Sequence, residues 1–371
     1  MELSPPTAPI ELFEVSYFKI PFSGKLGSAL MMPSVLSRAR FAVGWVREGD
    51  LAGLPRHPSK LHVRKAHKSF PCSIQFDDDQ ILFALGFFLT PACLIAQLNR
   101  DIERIAAQAH ALVGVSCSLP GLVLDCNLNA NQRLPMQSVY KFPIAMAILH
   151  AVEQGQLALS QPIEFLPTDA VRPGQHSPLR DMHPRGGVMV PLQELLHLAV
   201  SESDGTASDI LLRVLGGPVV VDRYIRSLGV QGIAVIDSEK TLGKDVKAQY
   251  RNTSTPAATV RLLRLLADDR PLTSDHTALL LRLMSQGGTS DARIKGLLPS
   301  NTKVAHKTGT SGEDNGITHA TNDVGLITMR NGKRLAIAVM IKDSPASEEI
   351  RERVIAQITK AIWSEANGKL S

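Results

Sequence analysis

The chain has 371 residues, of which 44% are hydrophobic and 20% charged, and a formal net charge of +5. That composition is globular, with material for two domains or for one large domain and an extension. The positive charge is scattered and only four Tyr and two Trp accompany it, so no nucleic-acid surface is expected. Four Cys without a C-x-x-C pair and 11 His without an H-E-x-x-H pattern argue against a zinc site. No metal and no cofactor are expected.

Residues 1–80 show no sustained periodicity. They contain turn-rich pieces such as "SPPTAP" and a basic stretch, "RHPSKLHVRKAHK". They are expected to be a poorly ordered or mis-assigned extension. Residues 81–96, "ILFALGFFLTPACLIA", carry no charge. This run is too short and too proline-broken for a comfortable membrane span of ~20 residues, but it has the length of a secretory signal's apolar core. The long segment before it and the acidic "DDD" at 77–79 do not fit a simple signal. The expectation is that the functional protein begins near this run, with a catalytic body at 97–371.

From there the pattern becomes regular. "LNRDIERIAAQAHA" (98–111) has helical spacing. "LVGVSCSL" and "LVLDCNL" read as two strands with "PG" near the turn. A hairpin centred between Gly121 and Leu122 sets Cys117 opposite Cys126, as a disulfide or as two buried thiols. A mostly helical stretch follows, with helices over 138–154, 190–203, 206–217, 216–229, 254–268 and 273–286. Then come three strand-like runs, "TKVAHKTGTS", "ATNDVGLITM" and "KRLAIAVMIK", and a final amphipathic helix over 347–366. Strands at both ends of a helical middle imply an α/β body (97–137 and 290–371) with an antiparallel five-stranded sheet and flanking helices. An all-α domain (138–289) is inserted into it. A cleft between the two lobes is the natural ligand site.

Three short elements carry chemistry. In "MQSVYKFPIAMAILH", Ser138 and Lys141 lie at i and i+3 on one face near a helix start. A Lys there lowers the cost of deprotonating Ser or, if neutral, takes its proton. The helix start adds N–H donors where an oxyanion would form. Ser203-Asp204-Gly205 ends one helix and opens the next. Lys307-Thr308-Gly309, followed by Thr310, lies on a strand, where Gly admits a ligand backbone and Lys supplies charge. Alone, each element is unspecific. Their order and their separations of about 65 and 100 residues are far more specific.

With these motifs the sequence resembles the penicillin-recognising serine enzymes, and among them the extended-spectrum branch of the class A β-lactamases, whose signature is this motif set. The resemblance covers about residues 98–366. It implies a β-lactamase/transpeptidase-like fold and hydrolysis of β-lactam antibiotics through an acyl-enzyme. Ser138 would be the nucleophile, Lys141 its activator and Ser203 the proton relay to the departing nitrogen. Lys307, Thr308, Gly309 and Thr310 would hold the substrate carboxylate, and the N–H groups of Ser138 and Thr310 the oxyanion. Glu239, in "DSEKTLGKDVKAQYRN", would activate the deacylating water. Arg293 in "DARIKGLLP" resembles one placement of a second cation near the carboxylate, whereas Thr321 sits where other members carry Arg. A monomer, secreted or periplasmic, with a small β-lactam as its only partner is implied.

Two positions depart from the family pattern. Gly205 replaces the Asn whose amide meets the substrate's side-chain amide, and Gly243 stands where an Asn often helps to hold the hydrolytic water. Both favour the alternative of a penicillin-binding or sensing protein, or a D,D-peptidase or esterase, that acylates with little turnover. Glu239 argues against it.

Overall fold

The structure, a computed structural model, describes residues 91–370 apart from 245, 246, 271 and 288–290. The extension expected at 1–80 and the part of the apolar run at 81–90 lie outside the described residues. The last six residues of that run open α1 (Pro91–Ala106), which a short 3-10 turn joins to β1 (Leu112–Ser118). Next come β2 (Leu134–Pro135), a 3-10 turn at Gln137–Tyr140 and α2 (Lys141–Glu153). The middle of the chain holds β3 (Pro162–Phe165), α3 (Pro178–Met182), β4 (Val188–Pro191), α4 (Leu192–Val200) and α5 (Gly205–Leu215). It continues through α6 (Pro218–Ser227), β5 (Ile233–Ala234), α7 (Glu239–Leu242), β6 (Thr253–Ser254), α8 (Pro256–Ala267) and α9 (Ser274–Ser285). The last part is β7 (Val304–Thr310), β8 (Glu313–Asp314), β9 (Ile317–Thr328), β10 (Arg334–Ser344) and α10 (Glu348–Leu370).

The main sheet runs β1-β10-β9-β7, antiparallel at every pairing, with β8 beside β9. Its central strands are buried on both faces, which is why they read as continuous apolar runs. Along β10 the side chains alternate between two cores. Leu335, Ile337, Val339 and Ile341 pack with α1 and α10, while Ala336, Ala338 and Met340 pack with the inserted helices. Helix α2 crosses that second core and is buried from Lys141 through Leu149, so it is apolar nearly all round.

Helix boundaries follow their capping residues. Asp204, Thr255 and Thr273 each accept a backbone N–H at the starts of α5, α8 and α9. Gly216 closes α5 at φ 95°, a conformation that costs Gly little.

The structure differs from the sequence expectation in three places. The run at 122–128 is no strand but touches β1 through an isolated bridge, Val115 to Leu128, with a second bridge, Leu119 to Leu122, just past the end of β1. The fifth strand is instead the short β8. Cys117 and Cys126 do fall opposite one another and are joined by a disulfide, with Cα atoms 6.0 Å apart. The helix expected from 138 starts as a 3-10 turn over Gln137–Tyr140, and the α-helix winds only from Lys141. The helical section also carries the short pairs β3–β4 and β5–β6, whose two to four residues are too few for a periodic signal.

Asp204 shows how the fold positions the site. It is fully buried and accepts from Ser177 Oγ at 2.9 Å, Leu179 N at 2.6 Å and Ala207 N at 2.8 Å. It therefore caps α5 and also ties the 171–177 loop to it. Asp204→Ala is expected to lower the unfolding free energy by at least ~3 kcal/mol, since it strands three donors that now meet a carboxylate. Urea unfolding measures this, and a loss below about 1 kcal/mol would mean the loop is held by other contacts.

Candidate active site

Ser138 lies in the 3-10 turn, one residue after Gln137, whose φ of 48° is left-handed. The turn is held from the sheet. Asn322 of β9, fully buried, donates from Nδ2 to the carbonyls of Pro135 (2.8 Å) and Met136 (3.1 Å). Met136 N donates in turn to the carbonyl of Asn252 at 2.9 Å. Strand β7 presses on the same turn: a Cβ on Gly309 would stand 2.3 Å from Met136 O and 3.1 Å from Val139 N. Only glycine fits there without moving backbone, so Lys307-Thr308-Gly309 runs directly beside Ser138.

Two lysines converge on Ser203 beneath the turn. Lys141 Nζ donates to the Ser203 carbonyl at 2.6 Å and lies 3.5 Å from its Oγ and 3.6 Å from Glu239 Oε2. Lys307 Nζ donates to Ser203 Oγ at 3.0 Å and to the Thr308 carbonyl at 3.2 Å. Both lysines are at most 2% exposed. Burial, reinforced by the charge of Lys141, pushes Lys307 down to about 7, against the opposing pull of Asp323 and Glu239. Ser203 holds its place between them with φ 57°.

Glu239 is the first residue of α7, which Ser238 caps. Its loop is fastened from several sides. Asp209 of α5 accepts the N–H groups of Glu239 (2.7 Å) and Lys240 (2.9 Å). Burial, and after it the Glu239 charge, raises Asp209 to about 7 against those two backbone bonds. Buried Asn252 accepts from Ile236 N and Asp237 N and donates to the Asp237 carbonyl. The hydroxyl of Tyr140, whose pKa burial and then the Glu239 charge raise well above the usual tyrosine value, donates to Glu239 Oε2 at 2.8 Å. Gly205 lies against the carboxylate stem, because a Cβ there would be 2.8 Å from Glu239 Cγ.

A cleft of about 410 Å³ opens above these groups. Of the residues expected at the site, Ser138, Ser203, Glu239, Thr308 and Thr310 line it. Lys141 and Lys307 lie beneath it, and Gly205 and Gly309 form close contacts in its walls. Arg293 is 2% exposed and does not line the cleft. Its Nη2 donates to Thr310 Oγ1 at 2.8 Å, its Nη1 to the Asn322 carbonyl at 3.0 Å and its Nε to Glu352 at 3.1 Å. Thr321 pairs with Thr310 across the sheet, and Arg351 Nε donates to its hydroxyl at 2.8 Å.

Tyr140, Gln175, Asp209, Asn252 and Asn322 were not visible as site residues in the sequence. Tyr140 lies inside the S-x-x-K motif and its position beside Lys141 could have flagged it. The others meet site partners 15 to 187 residues away, and no local pattern announces them.

The Lys307 shift gives a prediction. With a folded pKa near 7 against 10.5 unfolded, the folded protein holds fewer protons across that window. The contribution of Lys307 to stability therefore rises with pH between about 7 and 10.5 and is lowest below 7. In Lys307→Met this slope is expected to vanish. Denaturant unfolding of both proteins from pH 7 to 10 measures it, and parallel curves would contradict the assignment.

The family profile described as the "Beta-lactamase enzyme family" matches residues 97–366. The β-lactamase VEB-1 of Pseudomonas aeruginosa is 36% identical over 289 residues, covering 76% of this chain and 96% of that protein. The extended-spectrum β-lactamase PER-1 of the same organism is 36% identical over 274 residues, covering 74% and 89%. Among solved structures, a β-lactamase from Chitinophaga pinensis superposes with a TM-score of 0.70 at 38% identity, over 73% of this chain and all of that one. The TLA-1 extended-spectrum β-lactamase gives 0.71 at 37% identity, over 74% and 99%. With matches that span the whole described body and a serine–lysine–glutamate arrangement beneath one cleft, the chain belongs to the β-lactamase enzyme family, in its class A serine branch.

Proposed function

We propose that the chain hydrolyses β-lactam antibiotics through an acyl-enzyme on Ser138. The observation that carries this reading is the convergence of Lys141, Lys307, Ser203 and Glu239 around the serine turn. Ser138 Oγ attacks the lactam carbonyl carbon. Its proton leaves towards Lys141 and Glu239, whose Nζ and Oε2 are 3.6 Å apart. The N–H groups of Ser138 and Thr310 receive the developing oxyanion. As the C–N bond breaks, Ser203 passes a proton to the ring nitrogen, resupplied from Lys307 at 3.0 Å or Lys141 at 3.5 Å. Lys307, Thr308 and Thr310 hold the substrate carboxylate, and Arg293 supports it by orienting the Thr310 hydroxyl. Water then attacks the ester, with Glu239 taking its proton, and Ser138 is released.

The chain acts as an exported monomer with its catalytic body at 97–371. The disulfide between Cys117 and Cys126 suits an oxidising compartment. Among the described residues no helix is long and apolar enough to cross a membrane.

Ser138→Ala is expected to abolish turnover of a penicillin and a chromogenic cephalosporin while the fold is kept. Glu239→Gln is expected to acylate and stall, visible as one equivalent of covalent adduct by intact mass. Undiminished turnover in the first variant, or no adduct with lost activity in the second, would overturn these roles.

A further inference from the structure

Gly205 and Gly243 look in the sequence like two lost side chains, but neither position is empty. At Gly205 the stem of Glu239 occupies the space, as described above. At Gly243 a Cβ would stand 2.4 Å from Gln175 Cδ, 2.5 Å from its Oε1 and 2.6 Å from its Nε2. The amide of Gln175 thus lies where a side chain on residue 243 would project.

That amide is fixed in direction. Its Oε1 accepts the N–H of Arg172 at 3.0 Å, across a turn that Gln175 N closes onto the Arg172 carbonyl at 3.1 Å. With the oxygen committed, Nε2 faces the other way and donates to the carbonyl of Glu239 at 2.7 Å. The loop bearing Gln175 is itself stapled to the start of α5. His176 O accepts Gly205 N at 3.0 Å, His176 Nε2 meets the Glu202 carbonyl at 2.9 Å, and Ser177 Oγ donates to Asp204. Arg180 Nη1 donates to the Arg172 carbonyl at 2.6 Å from the far side of the turn.

We propose that Gln175 is a positioning residue for deacylation: it ties the backbone of Glu239 to the Ser203-Asp204-Gly205 turn and so sets where the Glu239 carboxylate stands relative to Ser138. Asp209 holds the N–H side of the same residue and Gln175 holds its C=O side. Residue 243 must lack a side chain for this bond to form. The proposal rests on the hydrolytic role of Glu239.

The test is a kinetic cycle on the full chain with Gln175→Ala, Gly243→Ala and the double variant. It uses a penicillin and a chromogenic cephalosporin, with quenched intact mass reporting the acyl-enzyme. Gln175→Ala is expected to lower kcat about tenfold, the kinetic equivalent of one net hydrogen bond. Its kcat/KM, which reports acylation, stays unchanged, and acyl-enzyme accumulates at steady state. Gly243→Ala displaces only the flexible end of Gln175, so it is expected to give the same loss with an unchanged melting temperature. The double variant loses no more than either single one. Gln175→Glu, which accepts from Arg172 but cannot donate to Glu239, fails to rescue. Wild-type kcat and acyl fraction in Gln175→Ala, or losses that add in the double variant, would overturn the proposal. If Gln175→Ala folds poorly, Gly243→Ala decides alone, and wild-type kinetics in it reject the proposal. A wild-type protein that acylates without turnover would instead reject the hydrolytic function itself.

Discussion

Two lysine side chains are buried against one serine residue, Ser203, and much of the surrounding architecture answers to them. Desolvation alone would make either lysine unfavourable, and each raises the cost of the other. The fold offsets this with oxygen atoms: the Ser203 carbonyl and Glu239 for Lys141, the Ser203 hydroxyl and the Thr308 carbonyl for Lys307. Those acceptors come from a helix-to-helix turn, an excursion between helices and a sheet strand. Bringing them together requires the left-handed Ser203, the capping Asp204 and the glycine contact between β7 and the serine turn. A serine poised between such lysines is the chemical return on that cost.

Positive potential reaches the substrate side of the cleft from below. Thr310 and Thr321 are paired residues of β7 and β9, and each hydroxyl accepts from a buried arginine, Arg293 and Arg351. The sequence suggested that Arg293 touches substrate and that Thr321 marks a missing arginine. Instead Thr310 lines the cleft, Thr321 is fully buried beside it, and the guanidinium groups stand behind the two hydroxyls. Glu352 and two backbone carbonyls hold these arginines in place, so the field is fixed rather than carried on mobile side chains.

The parts of the site that the sequence revealed are those whose partners are near in the chain or whose motif is chemically unusual. Ser138 and Lys141 stand out because a buried Lys in an apolar run needs a reason. The strands β7, β9 and β10 stand out because burial on both faces makes continuous apolar runs. Asn322, Asn252 and Asp209 stayed hidden, because a polar residue in a strand, loop or helix looks the same whether it faces water or holds a distant carbonyl. Gly205 and Gly243 were legible as absences, but what fills the space is set by the path of the 171–177 loop, which has no periodicity. The run at 122–128 has strand composition but meets β1 at a single bridge, Val115 to Leu128, so backbone bonds at that point and the Cys117–Cys126 disulfide fasten it in place of a continuous ladder.

The sheet order also dictates when this molecule can come into being. Among the described residues strand β1 has one sheet neighbour, β10, and Leu112 meets Lys342 only after the 229 residues between them have been made. Such long-range closure is slow and comes late, whereas the helices between the two strands form from local contacts, and the pair Cys117–Cys126 bridges a sequence separation of only 9. A nascent chain ending short of residue 304 therefore owns Ser138, Lys141, Ser203 and Glu239, yet has neither Lys307 nor the glycine that presses on the serine turn. Under the proposed function, such a chain lacks part of its catalytic machinery until the last strands are made, however well its helices have formed.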